Sequence, residues 1–171
     1  SLLLPTQPPM LSALSSMIHP RGESSATSSA TEAADVDNKH HLFDNYDLDT
    51  THKYGEGGYG ATYAAYRIDP HTQTRTDKLA VKIIDTRRMK IDAIKKECAI
   101  LESLTHTNVI EINAHGTGRR NTAQEHLYFI FMELADGGEL FDQVIDRGTN
   151  AMPEDVARNF FTQMLAGVLH C

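Results

Sequence analysis

Lys82 is the residue most able to do chemistry in this chain, because it interrupts an otherwise apolar run, Leu79-Ala80-Val81-Lys82-Ile83-Ile84. Strand periodicity puts it on one face with Ala80 and Ile84, which would bury the ammonium at least in part and call for an anion. An edge-strand lysine snorkelling to water is the other reading. Glu97 offers that anion. It stands three, four and seven residues before Ile100, Leu101 and Leu104, on what reads as the inward stripe of a helix, although Lys95-Lys96-Glu97 could equally be a solvated flank. A strand Lys and a helix Glu that face one interior would satisfy each other and leave ammonium protons for a phosphate. Gly55-Glu56-Gly57-Gly58-Tyr59-Gly60 fits G-x-G-x-x-G, a spacing that lets main-chain amides approach phosphate oxygens. By itself it is also a flexible turn between strands. Dinucleotide binding would need a helix after Gly60. The residues that follow, Ala61 to Ile68, read as a strand instead, so the glycines are expected to cap a hairpin.

Other candidates carry less. The nine histidines, among them His40-His41, show no metal-ligand spacing. The two cysteines, Cys98 and Cys171, are too few for a disulfide framework or a cysteine-based zinc site, and Cys98 reads as a small core residue. A net charge of −7 argues against a basic nucleic-acid-binding domain. No apolar run is long enough to span a membrane.

The elements that must position Lys82 and Glu97 follow from texture. Residues 1–41, with four prolines and a Ser/Ala/Thr-rich stretch from Ser24 to Ala34, read as a disordered tail without a legible targeting signal. From Leu42 onward, strands are expected at Asn45 to Tyr54, Ala61 to Ile68, Lys78 to Ile84, Val109 to His115 and His126 to Met132, in an antiparallel sheet. Helices are expected at Ile91 to Leu104, at Glu139 to Asp146, and from Pro153, placed at a first helical position. The last helix presents Val156, Phe160, Met164 and Val168, flanked by Ala157, Phe161 and Leu165, as a wide buried face. The rest of the sequence offers that face no partner, so a piece of a longer protein is expected.

Taken in order, the glycine loop, Ala80-Val81-Lys82, Glu97, His106-Thr107-Asn108-Val109, Leu127 to Glu133 and Gly137-Gly138-Glu139-Leu140-Phe141-Asp142 resemble the small lobe and hinge of a eukaryotic protein kinase. The resemblance covers Leu42 to Cys171. It is strongest to the calcium/calmodulin-dependent group of serine/threonine kinases, and within it to the checkpoint kinase 1 type. It implies an α+β fold: a five-stranded antiparallel sheet plus one helix over about 42–132, a hinge at 133–137, and the first helices of the large lobe at 138–171. It also implies ATP with Mg²⁺ as cofactors and a protein substrate with basic residues near its acceptor hydroxyl; the charge balance and the lack of a long apolar run point to no nucleic-acid or membrane partner, and the two cysteines to a cytoplasmic or nuclear location.

The resemblance assigns Lys82 to the α- and β-phosphates and Glu97 to orienting it. Gly55, Glu56, Gly57, Gly58, Tyr59 and Gly60 would cover the phosphates. Ala80 would pack on adenine, and the main chain of Glu133 and Ala135 would bond its edge. Met132 matches the gatekeeper, and Glu139 a residue that touches ribose or a basic substrate side chain. Tyr54 and Thr62 stand where the family has Leu and Val in the nucleotide roof, and the Thr hydroxyl makes that exchange non-neutral in a dry site. The catalytic base of H-R-D-x-x-x-x-N and the metal ligands from its Asn and from D-F-G are absent from these 171 residues. No catalytic or metal-binding residue is therefore assigned, and no turnover is expected of the chain as given. A non-catalytic module that binds nucleotide or a partner is the alternative, and dinucleotide binding is a distant third.

Overall fold

The computed structural model describes residue 42 and residues 44–118, 125–145 and 152–171. The tail at 1–41 and the expected helix end at Asp146 lie outside the described residues. The elements run β1 (Tyr46–Gly57), β2 (Gly60–Ile68), β3 (Arg75–Asp85), α1 (Ile91–Glu102), β4 (Ile112–Thr117), β5 (Leu127–Glu133), α2 (Leu140–Ile145) and α3 (Glu154–His170). The strands form one five-stranded sheet in the order β1-β2-β3-β5-β4. Each neighbouring pair is antiparallel.

Two-residue periodicity sorts the sheet into two faces. Tyr63, Ala65, Val81, Ile83, Phe129 and Phe131 bury one face beneath Leu42, Tyr46 and Leu48. The Phe131 ring stacks on Tyr46, with centroids 4.2 Å apart. On the other face, Ile84, Tyr128 and Ile130 pack against Ile94 and Cys98 of α1. β3 and β5 are covered on both sides, which is why their sequences are nearly continuous apolar runs rather than alternating ones. Burial raises the Cys98 thiol to about 11, the behaviour of the inert core residue expected from sequence.

Asp85 closes β3. Its side chain is almost wholly buried, and Oδ1 accepts from the Arg87 main-chain N–H at 3.0 Å and from Arg87 Nε at 2.9 Å, while Oδ2 accepts from Nη2 at 2.7 Å. Its main-chain carbonyl accepts from the N–H of Arg88 and Met89, so one residue sets the turn into α1. Asp85→Ala is expected to cost about 2 kcal/mol in chemical denaturation, the scale of hydrogen bonds to a charged group. The Arg87 hydrogen bonds hold this carboxyl below the ordinary carboxylate range. A folded-state value below the unfolded one means that the contribution is complete above about pH 4 and is lost as pH falls through the folded value. The stability gap between wild type and Asp85→Ala should therefore close on acidification. A gap that stays constant down to pH 2 would remove the ionised pair from the account.

Several expectations are corrected. β4 begins at Ile112, so Val109 and Ile110 precede it. α1 ends at Glu102, before Leu104, and Ile100 is 53% exposed rather than on the inward stripe. Pro153 is the cap of α3, with extended backbone (ψ 143°), and its carbonyl accepts the first helical bond from Ala157. The wide apolar face of α3 stands open, as the lack of a partner in the rest of the sequence led us to expect: Phe161, Met164, Leu165 and Val168 are 46–71% exposed. α3 meets the loop before β4 through a few close contacts instead. A Cβ on Gly167 would lie 2.8 Å from Asn108 O, Asn108 Nδ2 donates to Gln163 Oε1 at 3.3 Å, and His106 stacks on His170. Among the described residues no helix is long and apolar enough to cross a membrane.

Candidate functional site

β1 and β2 form a hairpin in which Gly57 faces Gly60 and the turn falls on Gly58-Tyr59. A strand follows Gly60, which removes the dinucleotide-binding reading, since that site needs a helix there. The hairpin tip is fixed on the end of β3: the Asp85 N–H donates to Tyr59 O at 3.0 Å, and Arg88 Nη1 donates to Gly58 O at 3.4 Å. Glu56 is exposed and paired with Lys53, and that pairing lowers its pKa. A Cβ at Gly55, Gly57 or Gly58 would meet nothing within 4 Å, so this stretch of backbone is open to a ligand. Gly60 differs, because a Cβ there would fall 1.9 Å from Ile83 O. Its lack of a side chain is a packing requirement of β2 against β3.

Thr62 of β2 is opposite Lys82 of β3, and Ala80 is opposite both Ala64 and Met132. By strand parity, Thr62, Ala64, Ala80, Lys82 and Met132 therefore share the face on which α1 packs. Lys82 Nζ reaches Glu97 Oε1 at 3.4 Å. The two side chains are 40% and 42% exposed, so the pair sits at the rim of the core rather than inside it. A pair so open to water contributes ~0–1 kcal/mol and cannot hold α1 in place by itself. Its openness does leave the remaining ammonium protons accessible.

Ala80 is buried and Met132 half-buried, while Glu133 at the end of β5 and Ala135 and Glu139 beyond it are exposed. The Glu133 N–H is taken by Glu111 O at 3.0 Å, so a main-chain contact between Glu133 and a base edge falls to its carbonyl. Gly138 has φ +76°, a left-handed conformation that suits glycine in the turn into α2. Tyr54 is 46% exposed beside Lys78, whose ammonium lies 5.9 Å from the Tyr54 ring centroid. Hydrogen bonding to Tyr54 raises the Lys78 pKa. Lys78 shares the parity of Ala80 and Lys82 along β3.

The resemblance places the ligands of Mg²⁺ in loops that these 171 residues do not include. Among the described residues no group of three or more His, Cys, Asp or Glu could hold a metal ion.

Residues 48–171 match the model of the protein kinase domain. The chain belongs to the protein kinase family. CBL-interacting serine/threonine-protein kinase 16 of Arabidopsis thaliana is 33% identical over 135 residues, which cover 76% of this chain and 26% of that protein. CBL-interacting protein kinase 9 of Oryza sativa subsp. japonica is 30% identical over 130 residues, covering 74% of this chain and 25% of that protein. The chain thus spans about a quarter of the length of these curated relatives. Among solved structures, Rad53 1–466 in complex with AMP-PNP superposes with a TM-score of 0.61 at 24% identity, covering 74% of this chain and 31% of that one. That likeness shows the fold. The sheet with α1 is the small lobe of a kinase domain, as the sequence led us to expect.

Proposed function

We propose that this chain is the ATP-binding part of a serine/threonine protein kinase, which passes the γ-phosphoryl group of ATP to protein hydroxyls together with catalytic and metal-binding loops that these residues do not include. The observation that carries this reading is the Lys82–Glu97 pair, formed within reach of solvent on the face below an unobstructed glycine hairpin. Lys82 neutralises phosphate charge and Glu97 aims it. Gly55 to Gly60 cover the phosphates with main-chain amides. Tyr54, Thr62 and Ala80 enclose adenine, Met132 closes the back of the pocket, and Glu133 with Ala135 meets the base edge. Glu139 contacts ribose or a basic residue of the protein substrate. Phosphoryl transfer depends on positioning and on charge neutralisation, and this chain supplies the nucleotide half of both.

Residues 42–132 make the small lobe in this reading, 133–137 the hinge and 138–171 the start of the large lobe. We place the kinase in the calcium/calmodulin-dependent group near the checkpoint kinase 1 type, in cytoplasm or nucleus, on the motif Gly138-Glu139-Leu140-Phe141-Asp142 and on Met152-Pro153-Glu154. The roof departures Tyr54 and Thr62 favour a second reading, a non-catalytic module that binds a partner or nucleotide without turnover.

Titration of the 171-residue chain with a fluorescent ATP analogue is expected to give saturable binding that ATP reverses and NAD does not. No saturable binding, or equal displacement by NAD, would sink the proposal. Phosphorylation of basic peptides by a longer product carrying this chain separates kinase from silent module.

A further inference from the structure

Glu97 can aim Lys82 only if α1 is held at one rotation and height against the sheet, and their own contact is too open to water to hold it. Ile94 and Cys98 press the helix on Ile84, Tyr128 and Ile130, but apolar contact is non-directional and tolerates sliding. A directional link exists elsewhere. His115 of β4 stands between two elements: its Nε2 is 3.0 Å from Glu102 Oε1, on the last turn of α1, and its Nδ1 is 2.6 Å from the Tyr128 hydroxyl on β5. The rings of His115 and Tyr128 also stack, with centroids 5.8 Å apart.

One arrangement of donors and acceptors satisfies all three groups. Tyr128 is 2% exposed, and burial raises its phenol to about 12, so it keeps its proton and donates to Nδ1. With Nδ1 accepting, a hydrogen on Nε2 donates to the Glu102 carboxylate. The hydrogen-bond chain runs from the buried strand β5 through β4 to the helix. Glu97 lies five residues from Glu102 on the same helix, about 7.5 Å along the axis, so what fixes one end of this short rod fixes the other.

We propose that His115 is a positioning residue for the nucleotide site, acting through Glu102 and α1 to keep Glu97 against Lys82. The proposal deepens, and rests on, the nucleotide-binding reading given above. Its test has one arm that does not depend on that reading. In the 171-residue chain, His115→Leu is expected to speed amide exchange over α1 by about 10-fold, whereas His115→Gln, which keeps one acceptor and one donor, stays within about twofold of wild type. Glu102 is half exposed, so Glu102→Ala removes the same link without touching the core and should act like His115→Leu.

The second arm is ATP affinity. His115→Leu should weaken it about fivefold in the wild-type background and leave it unchanged when Glu97→Gln is already present, because a residue acting through Glu97 has nothing left to act on. Unchanged α1 exchange in both His115→Leu and Glu102→Ala overturns the proposal, and so does an equal loss of affinity in the two backgrounds. A wild-type chain that binds no ATP refutes the nucleotide reading and with it the role assigned to His115 there, while the exchange arm still decides whether His115 holds the helix.

Discussion

Lys82→Met is expected to weaken ATP binding to this chain by about 10- to 100-fold, which corresponds to the ~1.5–3 kcal/mol that a hydrogen bond to a charged group contributes. Met keeps the aliphatic stem that packs beside Ala80 and Ile84, so folding should be unaffected. It has no proton for a phosphate and no charge for Glu97. The Lys82–Glu97 pair itself contributes so little to stability, with both side chains about 40% exposed, that thermal unfolding should shift by no more than about 4 °C. The measurement is calorimetric titration with ATP beside a melting curve of each protein. Unaltered affinity would remove Lys82 from the site, and a collapse of stability would recast it as a structural residue.

Gly60→Val carries the second large effect, and it acts on the fold. Any side chain at this position meets the main-chain carbonyl of Ile83, with the first carbon already at 1.9 Å, and backbone cannot swing aside as a flexible side chain would. β2 would have to leave β3 near the Gly60–Ile84 pair, at a cost of about 3 kcal/mol or more. That is a large share of the ~5–15 kcal/mol that stabilises an ordinary domain. Gly57→Ala, across the hairpin from Gly60, provides the contrast. Nothing lies within 4 Å of its Cβ, so stability should change by less than ~1 kcal/mol. If the hairpin amides contact phosphate, ATP affinity should fall in Gly57→Ala although its melting curve is intact. Equal melting temperatures for Gly60→Val and wild type would show that β2 and β3 do not approach as described.

The two glycines show where the motif stopped being informative. G-x-G-x-x-G marks both positions alike, yet one is bare toward solvent and the other is wedged against a neighbouring strand. That difference depends on the spacing of β2 and β3, which no local pattern encodes. Glu97 teaches the same lesson more mildly. Ile94 and Cys98 of its helix are fully buried, but the inward stripe is narrower than the sequence suggests and leaves out Ile100. The open face of α3 agrees with a sequence that offers it no partner. A periodic apolar run tells that a surface wants cover without telling what covers it.

From sequence alone came the antiparallel strands, the hairpin under the glycines, the helix opposite β3, and the pairing of an isolated strand cation with a helix carboxylate. These are legible because two-residue and 3.6-residue periods are written directly in the order of side chains. Only the tertiary structure decided that the Lys82–Glu97 pair stays half open to water, that Gly60 has no room for a methyl group, and that His115 joins Glu102 to Tyr128. Each of those facts concerns the distance between segments remote along the chain, and such distances are set by how whole faces pack, not by the residues next in line.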